Sequence, residues 1–378
     1  MAPLLTRVPI TRVYDATALD RLGLPVWGAV TPLARDLTVH AGKGMTAQAA
    51  RISAVMEAIE RVCAEDVDPA RTRRGSYALL LAEDREGVLD PGAFDLPFET
   101  RYRPGRPCAW VRGQDLLDNR EVWVALDLVL SPGRESVCRG PETNGLAAGN
   151  TVLEAALHGL YEVIERDAAA QRSFRRRYGE GDSAWALRVL AHEGLPGPVQ
   201  AWIERLEACG IAVTLEDLTH DVEVPVFRAF LSDPAFPGRE GQATGFEGFG
   251  CDLDPAHALE RAVCEAVQSH TAVLLGARES FEGGEALVPS AARLFEWLLA
   301  ASDRVQFAAG DAAPDDLEAR LQIVLERLRS AGFHHCACVE LTRPDLGVPV
   351  VRILVPGAAG LYGHTSRRPP QRLLRHLV

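Results

Sequence analysis

The chain has 378 residues, 47% of them hydrophobic, and a formal net charge of −12. This is enough apolar material for one large core or two smaller ones. The negative charge argues against a nucleic-acid-binding surface, which needs to be basic. No stretch reaches the ~20 apolar residues that cross a membrane, and the N-terminus lacks a secretion-signal pattern. We therefore expect a cytoplasmic protein that contacts neither nucleic acid nor a membrane.

The first predicted helix runs from about Ala47 to Ala64 and follows a Gly-Lys-Gly turn. A lysine between two glycines before a helix, here Lys43, can reach a phosphate, although the P-loop pattern is absent. Helical spacing gives the helix one polar face, formed by Ser53, Glu57, Glu60 and Arg61. A solvated helix face is the alternative interpretation of these charges.

The stretch Thr143 to Asp167 predicts a second helix after a glycine-rich turn. One sector of about 80° on this helix carries Glu154, His158, Glu162 and Glu165. Acidic groups this close repel one another unless a cation lies among them. The string Glu-x-x-Glu-Arg occurs in both helices, which indicates two related halves that face one site. The four arginines in Arg172–Arg177 either end the helix in solvent, which we favour, or contact an anionic peptide or partner.

A third glycine-rich turn, residues 244–250, precedes a helix predicted from Ala256 to Leu275, with a proline in its first turn. The turn does not match the dinucleotide-binding glycine pattern. The polar face of this helix is formed by Arg261, Glu265 and Gln268. Elsewhere the pattern predicts strands at 109–113, 122–126, 211–215, 226–231 and 348–355, and amphipathic helices at 199–209 and 315–331.

Eight cysteines in a chain of this length are too few for a disulfide scaffold, and none lies in a CxxC pair. Cys336 and Cys338, next to His334 and His335, form the one cluster that indicates a metal. The alternating pattern of this segment favours a strand with both thiols on one face, and zinc sites usually use wider ligand spacing.

If the three polar faces converge, they form a site of several carboxylates with a few basic and amide groups. Mg²⁺ takes oxygen ligands and usually keeps a substrate phosphate among them, so this set suits a nucleoside triphosphate. A di-iron carboxylate bundle is the rival metal site. It requires Glu-x-x-His pairs, which these helices lack.

The three stretches resemble the three ATP-binding motifs of the YcaO family: GKGMTAQAARISAVMEAIER, TNGLAAGNTVLEAALHGLYEVIERDA and GFGCDLDPAHALERAVCEAVQSH. The similarity extends from about Thr11 to Gly357. It implies an α+β fold of the YcaO type, with mixed or antiparallel sheets and helices that carry a carboxylate-rich ATP site. We expect residues 1–378 to form a single domain of this type, with a mobile basic tail at 366–378.

The resemblance implies an ATP-dependent enzyme that phosphorylates a peptide backbone amide, after which a nucleophile attacks the activated carbon. A neighbouring Cys, Ser or Thr side chain gives an azoline, and external sulfide gives a thioamide. By their match to the family motifs, the residues that would hold Mg²⁺ are Glu57, Glu60, Glu162, Glu165 and Glu265. Those that would bind ATP are Lys43, Ser53, Arg61, Asn144, Glu154, Arg261 and Gln268. The resemblance assigns no catalytic acid or base.

The sequence departs from azoline-forming members in its C-terminus, which is not a PxPxP tail, and in lacking a fused precursor-binding domain. Both departures favour the members that act with a separate TfuA-type partner and make thioamides in a peptide or protein substrate. A homodimer is a further expected assembly. Three alternatives stay open: an azoline-forming cyclodehydratase, a nucleotide-binding partner without catalysis, and a carboxylate-bridged redox metalloprotein.

Overall fold

Three sheets and eight helices make up the part of the chain that a computed structural model describes, residues 7–138, 143–179, 187–236, 245–276, 304–310, 312–360 and 367–375. The helices are α1 (Ala47–Cys63), α2 (Tyr77–Glu83), α3 (Leu126–Val129), α4 (Val152–Tyr178), α5 (Gly197–Ala208), α6 (Pro255–Leu274), α7 (Leu317–Ser330) and α8 (Gln371–Leu374). The predicted long helices are thus confirmed, with ends that differ by one to a few residues.

The strands are β1 (Arg12–Asp15), β2 (Val26–Val30), β3 (Val39–Lys43), β4 (Thr72–Gly75), β5 (Cys108–Asp115), β6 (Arg120–Ala125), β7 (Leu146–Ala148), β8 (Val189–Leu190), β9 (Ala212–Asp217), β10 (Val226–Ser232), β11 (Gly245–Cys251), β12 (Arg304–Val305), β13 (Ala337–Glu340) and β14 (Val350–Leu354). They form a three-stranded sheet β1-β2-β3, a five-stranded sheet β11-β10-β9-β8-β12, and a six-stranded sheet β4-β5-β13-β14-β7 in which β6 also pairs with β5. Apart from the parallel pair β8–β12, these pairs are antiparallel. The expected α+β class with mixed or antiparallel sheets is confirmed.

The same local unit occurs three times: a strand, a capped turn and a long helix. The units are β3–α1, β7–α4 and β11–α6. In each unit the residue before the helix uses its side-chain oxygen to accept a backbone N–H of the first turn: Thr46 from Ala49, Thr151 from Glu154, and Asp254 from Ala256 and His257. Such caps satisfy donors that would otherwise lack a partner, and they fix the point at which each helix begins.

All three glycine-rich stretches predicted as turns contain a strand, and in the second of them this is β7, Leu146–Ala148. Residues 39–43 form β3, and residues 245–251 form β11; Thr244 lies outside the described residues. A Cβ atom on Gly42 would lie 2.0 Å from the Ala54 backbone N, and one on Gly250 would lie 2.0 Å from the Ala258 O. These glycines therefore let α1 and α6 pack directly on the backbones of their own strands.

The hydrophobic core has three main parts, and the three long helices each contribute to one. The buried face of α1 joins the cluster over the six-stranded sheet. Apolar residues of α4 pack with β14, β11 and α7, and those of α6 pack with α5 and the inner face of the five-stranded sheet. Because each helix buries an apolar stripe, its polar face points away from the core.

The described part of the C-terminal tail, 367–375, lies against the rest of the protein. Leu373 is buried, and Arg372 forms an ion pair with Asp167 of α4. Residues 366 and 376–378 of the tail lie outside the described residues. None of the described helices is long and apolar enough to span a membrane.

Candidate active site

The first side of the candidate site is the polar face of α1. One guanidinium nitrogen of Arg61 donates to Asp36 Oδ2 at 2.9 Å, and the other lies 4.0 Å from Glu57 Oε1. Ser53, half-buried, lies one turn before Glu57 on the same face. This helix is oriented by the buried residues Ala50, Ala54, Val55, Ala58, Ile59, Val62 and Cys63.

Glu60 joins this face to the start of the second motif. Its Oε1 accepts the backbone N–H of Ala148, at the end of β7, at 2.8 Å. Burial raises the pKa of Glu60 to about 8, and the neighbouring carboxylates of Glu57 and Glu162 add to the rise. The carboxyl group is thus deep, held in place, and costly to ionise without a cation.

The second side of the site comes from α4. Arg166 Nε lies 3.9 Å from Glu162 Oε1 and 4.0 Å from Glu165 Oε1. Burial raises the pKa of Glu162. Burial, together with the charge of Glu265 from α6, raises the pKa of Glu165 to about 7. Carboxylates from two different helices therefore repel each other here.

The third side combines β3 and α6. Lys43, at the end of β3, forms an ion pair with Glu265. Burial alone would raise the pKa of Glu265, but Lys43 outweighs it and the pKa lies below its ordinary value. Arg261 lies near Glu165 and Glu265, and these two charges raise its pKa despite its burial. Gln268 donates to the Ala41 carbonyl of β3 at 2.7 Å. The structure thus brings the three predicted polar faces together.

Comparison with known proteins agrees with this arrangement. The family model of the YcaO cyclodehydratase, described as binding ATP and Mg²⁺, matches residues 41–359. An uncharacterised protein of Methanothermobacter thermautotrophicus is 34% identical over 369 residues, which cover 93% of this chain and 90% of the relative. The chain belongs to the YcaO family. A second relative, from Rhizobium leguminosarum bv. trifolii, is 32% identical over 94% of this chain and 85% of its own length; it is described as an uncharacterised protein in the tfuA 3′ region.

The fold is also that of a solved YcaO structure. The YcaO protein of Methanopyrus kandleri, bound with AMPPCP and Mg²⁺, superposes with a TM-score of 0.72 at 27% identity. The match covers 98% of this chain and 93% of that one. The YcaO-type fold expected from the sequence is confirmed.

The donor set fits the ATP and Mg²⁺ that the YcaO family binds. Carboxylate oxygens are the ligands Mg²⁺ prefers. Burial raises the pKa values of Glu60, Glu162 and Glu165, so a bound cation would favour their ionised form. Among the described residues, no three of the five glutamates bring ligand oxygens within 4.8 Å of one another. Each ion would therefore be held by one or two carboxylates together with phosphate oxygens, as is usual for Mg²⁺.

Of the side chains predicted from the sequence to bind ATP, two have a buried polar atom with no hydrogen-bond partner among the described residues: Asn144 Oδ1 and Arg261 Nε. Buried polar atoms are rarely left unsatisfied, so both are consistent with a polar ligand. Glu154 lies apart from the five glutamates, two turns before Glu162, and its carboxylate accepts the backbone N–H of Asn150 at 3.0 Å. His158 lies between them on α4, and its side chain is exposed.

Sequence reasoning missed Arg352 of β14, and left Arg166 and Asp36 out of the predicted set. Arg352 is buried within an apolar strand; burial lowers its pKa to about 10 and Glu162 opposes the change. An arginine at the centre of the string VVRIL was the available signal, since an arginine is rarely buried without an anion. No sequence pattern indicated Asp36, because it lies in a loop, outside the helices and strands.

The cysteine segment is structural. Both Cys336 and Cys338 are buried, and burial raises the thiol pKa of Cys338 to about 12 and that of Cys336 well above its ordinary value. The strand interpretation is confirmed for residues 337–340. Among the described residues, one trio of metal-ligand side chains is close together, Asp115, Asp118 and His335. Asp115 already accepts two backbone N–H groups and bonds His335 Nδ1 at 2.7 Å, which explains the trio without a metal.

Lys43 is the only lysine of the chain; all the others of the 40 Lys and Arg residues are arginines. The single amine side chain of the protein therefore lies in the candidate site.

Proposed function

We propose that this YcaO protein uses ATP to activate a peptide backbone amide, and that external sulfide then converts the amide to a thioamide. The observation that carries the proposal is the meeting of five glutamates with Lys43, Arg61, Arg166 and Arg261 on the polar faces of three strand–turn–helix units. A site of alternating cations and carboxylates suits phosphoryl transfer, which depends on positioning and on neutralising charge.

Each group has a role in this proposal. Lys43 and Arg261 hold the transferring phosphate, while Arg61 is fixed for a phosphate contact by Asp36. Bound Mg²⁺ would neutralise the negative charge that develops during phosphoryl transfer. The residues proposed to hold Mg²⁺ are Glu57, Glu60, Glu162, Glu165 and Glu265. The other proposed nucleotide contacts are Ser53, Asn144, Glu154 and Gln268.

The proposed reaction balances without a redox step. The amide oxygen attacks the γ-phosphorus, the bond to the β-phosphate oxygen breaks, and ADP leaves. Hydrosulfide then adds to the activated carbon, the carbon–oxygen bond breaks, and inorganic phosphate leaves with the former amide oxygen. The sum is amide, hydrosulfide and ATP giving thioamide, ADP and phosphate.

The cysteines of the chain support an external sulfur source for such a product. Seven of the eight thiols are buried, and a buried thiol with a raised pKa is a poor nucleophile and sulfur carrier. The eighth, Cys209, lies at the end of α5, an element that contributes none of the site residues. Sulfur would therefore arrive from another protein or from free sulfide.

The relative in the tfuA 3′ region supports a TfuA-like partner for this chain. The alternative product is an azoline, and the cyclodehydratase description of the family favours it. A non-catalytic nucleotide-binding partner is a further alternative, distinguished by the absence of any peptide-dependent ATP turnover.

Mass spectrometry of a peptide co-expressed with this protein and the partner decides the product. Activation of the amide precedes both outcomes, but their mass changes differ. Replacing oxygen by sulfur adds about 16 Da, whereas cyclodehydration removes about 18 Da by loss of water. The proposal expects the gain, with the unmodified mass when Glu165→Ala replaces the wild type. A loss confined to Cys, Ser or Thr positions would establish the azoline product instead.

A further inference from the structure

Asp36, in the loop between β2 and β3, accepts hydrogen bonds from two other parts of the fold. Arg61 Nη1 of α1 donates to Asp36 Oδ2 at 2.9 Å, and Ser131 Oγ donates to the same oxygen at 2.7 Å. Ser131 lies two residues after α3, and its backbone N–H donates to the carbonyl of Ala64, the C-cap of α1, at 2.9 Å. Ser131 is thus bonded both to the end of the helix that carries Arg61 and to the carboxylate that Arg61 contacts.

Ser131 is the buried member of this group. It is only 1% exposed, whereas the side chains of Arg61 and Asp36 are 18% and 31% exposed. A partly exposed arginine and carboxylate can adopt several geometries, and holding them in one geometry costs side-chain entropy. Because the backbone of Ser131 is bonded to α1, its hydroxyl restricts the Asp36 carboxylate, and the carboxylate in turn restricts the guanidinium.

The two ends of the Arg61 guanidinium face different groups. Nη1 is bound by Asp36, and Nη2 lies 4.0 Å from Oε1 of Glu57, one of the proposed Mg²⁺ ligands. A guanidinium is planar, and its nitrogens are held in a rigid fork. Fixing Nη1 on the loop therefore limits the direction in which Nη2 points within the candidate site.

We propose that Asp36 and Ser131 are positioning residues for Arg61: Asp36 orients the guanidinium for its phosphate contact, and Ser131 orients Asp36. This rests on the proposed function, in which Arg61 contacts a phosphate. Neither Asp36 nor Ser131 is assigned a contact with the nucleotide or the peptide. Phosphoryl transfer depends on positioning, and a misplacement of about 1 Å can cost about a hundredfold in rate. The hydroxyl of Ser131 should therefore influence turnover through Arg61.

A purely stabilising role of the two residues is the alternative, and the charge of Asp36 separates the two roles. Asp36→Asn keeps an oxygen that can accept a hydrogen bond from Ser131, but it removes the negative charge that is bonded to Arg61. Arg61 should then attract phosphate oxygens more strongly, while its orientation is less well defined. Tighter nucleotide binding together with slower turnover is the expected signature, which a loss of stability does not produce.

ATP turnover, measured as phosphate release, and the binding of AMPPCP with Mg²⁺ are compared in the full chain and its variants. Asp36→Asn should bind AMPPCP about threefold more tightly and turn over ATP about tenfold more slowly. The gain in affinity should disappear in an Arg61→Ala background, because Asp36 acts through Arg61. Ser131→Ala should lower turnover about tenfold and leave the affinity for AMPPCP unchanged within about twofold. Ser131→Cys, which has a weaker donor, should recover part of the turnover.

The control variant is Ser76→Ala, which removes a hydroxyl that stabilises another part of the fold. Ser76 Oγ caps α2 by accepting the Leu79 N–H at 3.2 Å, so its loss should lower the midpoint of thermal unfolding and keep wild-type turnover and affinity. Wild-type turnover in Ser131→Ala, or an equal loss in Ser76→Ala, would overturn the positioning roles. Weaker AMPPCP binding in Asp36→Asn, or a gain in affinity that persists without Arg61, would also overturn them. A wild type that binds no AMPPCP with Mg²⁺ would instead refute the proposed function itself.

Discussion

Lys43 and Glu265 form an ion pair although 222 positions separate them in the chain. Lys43 ends β3, and Glu265 lies in the middle of α6. The pair closes the gap between the first and third strand–turn–helix units. It also holds an ammonium group at the point where the proposed phosphates need one.

Replacing Lys43 by methionine should reduce ATP turnover by about a hundredfold, because an electrostatic contact to the transferring group is lost. The pKa of Glu265 should rise at the same time, since Lys43 keeps it low. A coupled assay of phosphate release measures the change. Arg12→Met removes an exposed cation of the same sheet that stacks on Tyr14, and it should leave turnover unchanged. Wild-type turnover in Lys43→Met would exclude the proposed role.

Replacing Glu165 by alanine should abolish ATP turnover and leave the fold intact. The change removes a proposed Mg²⁺ ligand, but it also relieves the repulsion between Glu165 and Glu265. We therefore expect an unchanged or higher midpoint of thermal unfolding without nucleotide. Glu326→Ala, at an exposed position of α7, is the control for both measurements. A large drop in the midpoint for Glu165→Ala would show that the carboxylate stabilises the fold instead.

Binding of MgATP should release protons at pH 7. Glu60 and Glu165, with pKa values raised to about 8 and about 7, are partly protonated in the free protein, and a metal needs them ionised. Calorimetry in two buffers of different ionisation enthalpy should give about one to one and a half protons released, falling towards zero above pH 9. A release near zero at pH 7 would contradict the proposed ligand set.

The same carboxyls make the nucleotide-free protein less stable as pH rises. Their folded pKa values exceed the ordinary carboxyl value, so the folded state binds more protons than the unfolded state above about pH 4.5. Their contribution is fully present below that pH and is lost as pH rises through about 7 to 8. Urea unfolding between pH 5 and 8.5 should show this decline, and Glu60→Gln should reduce it. Equal slopes in the two proteins would rule out Glu60 as a source.

His270 of α6 lies fully buried between two carboxylates, with Nδ1 2.7 Å from Asp20 Oδ2 and Nε2 2.9 Å from Asp233 Oδ2. Phe236 and Phe246 pack against its ring. Burial would lower the pKa of His270, but the two carboxylates outweigh it and raise the value. The triad joins the N-terminal segment, the residue that follows β10 and the helix that carries Glu265.

Replacing His270 by glutamine should destabilise the protein by about 3–5 kcal/mol, because the buried carboxylate of Asp20 loses its cation, whereas Asp233 keeps its ion pair with Arg21. In the wild type, the contribution of His270 to folding stability is present below its unfolded pKa and is lost as pH rises through the raised folded pKa. The contribution of Asp20 has the opposite dependence: its pKa is lowered, so its contribution is lost as pH falls. Chemical denaturation measures both effects. His257→Gln, at a half-exposed imidazole 3.1 Å from Asp252, should cost under about 1 kcal/mol. Equal losses in the two variants would show that His270 acts only as a packing residue.

The helices α1, α4 and α6 were predictable because each carries an apolar stripe with period 3.6 and a side-chain cap. The same stripe fixed which residues of α1, α4 and α6 share a polar face, so most of the candidate site was accessible from spacing. The strands β3 and β11 were not. Glycine has no side chain to show alternation, and the close contact of Gly42 with Ala54 exists only after folding.

The partners of the site residues were less predictable than the residues themselves. Asp36, which bonds Arg61, is in a loop, and no local pattern links positions 25 residues apart. The pairing of Lys43 with Glu265 likewise depends on how two sheets meet. Sequence spacing gives a face of one helix, whereas the contact between faces is a tertiary property.

The solitary lysine makes the protein open to selective chemistry. An amine-directed reagent has only Lys43 and the chain terminus to attack, and Lys43 is available only when its contact with Glu265 opens. The rate of acylation of Lys43 would thus report how often that contact opens. It can be measured by analysing the peptides obtained after digestion. If the proposed nucleotide site is right, an adenosine analogue with an electrophile in place of the terminal phosphate should modify Lys43 covalently.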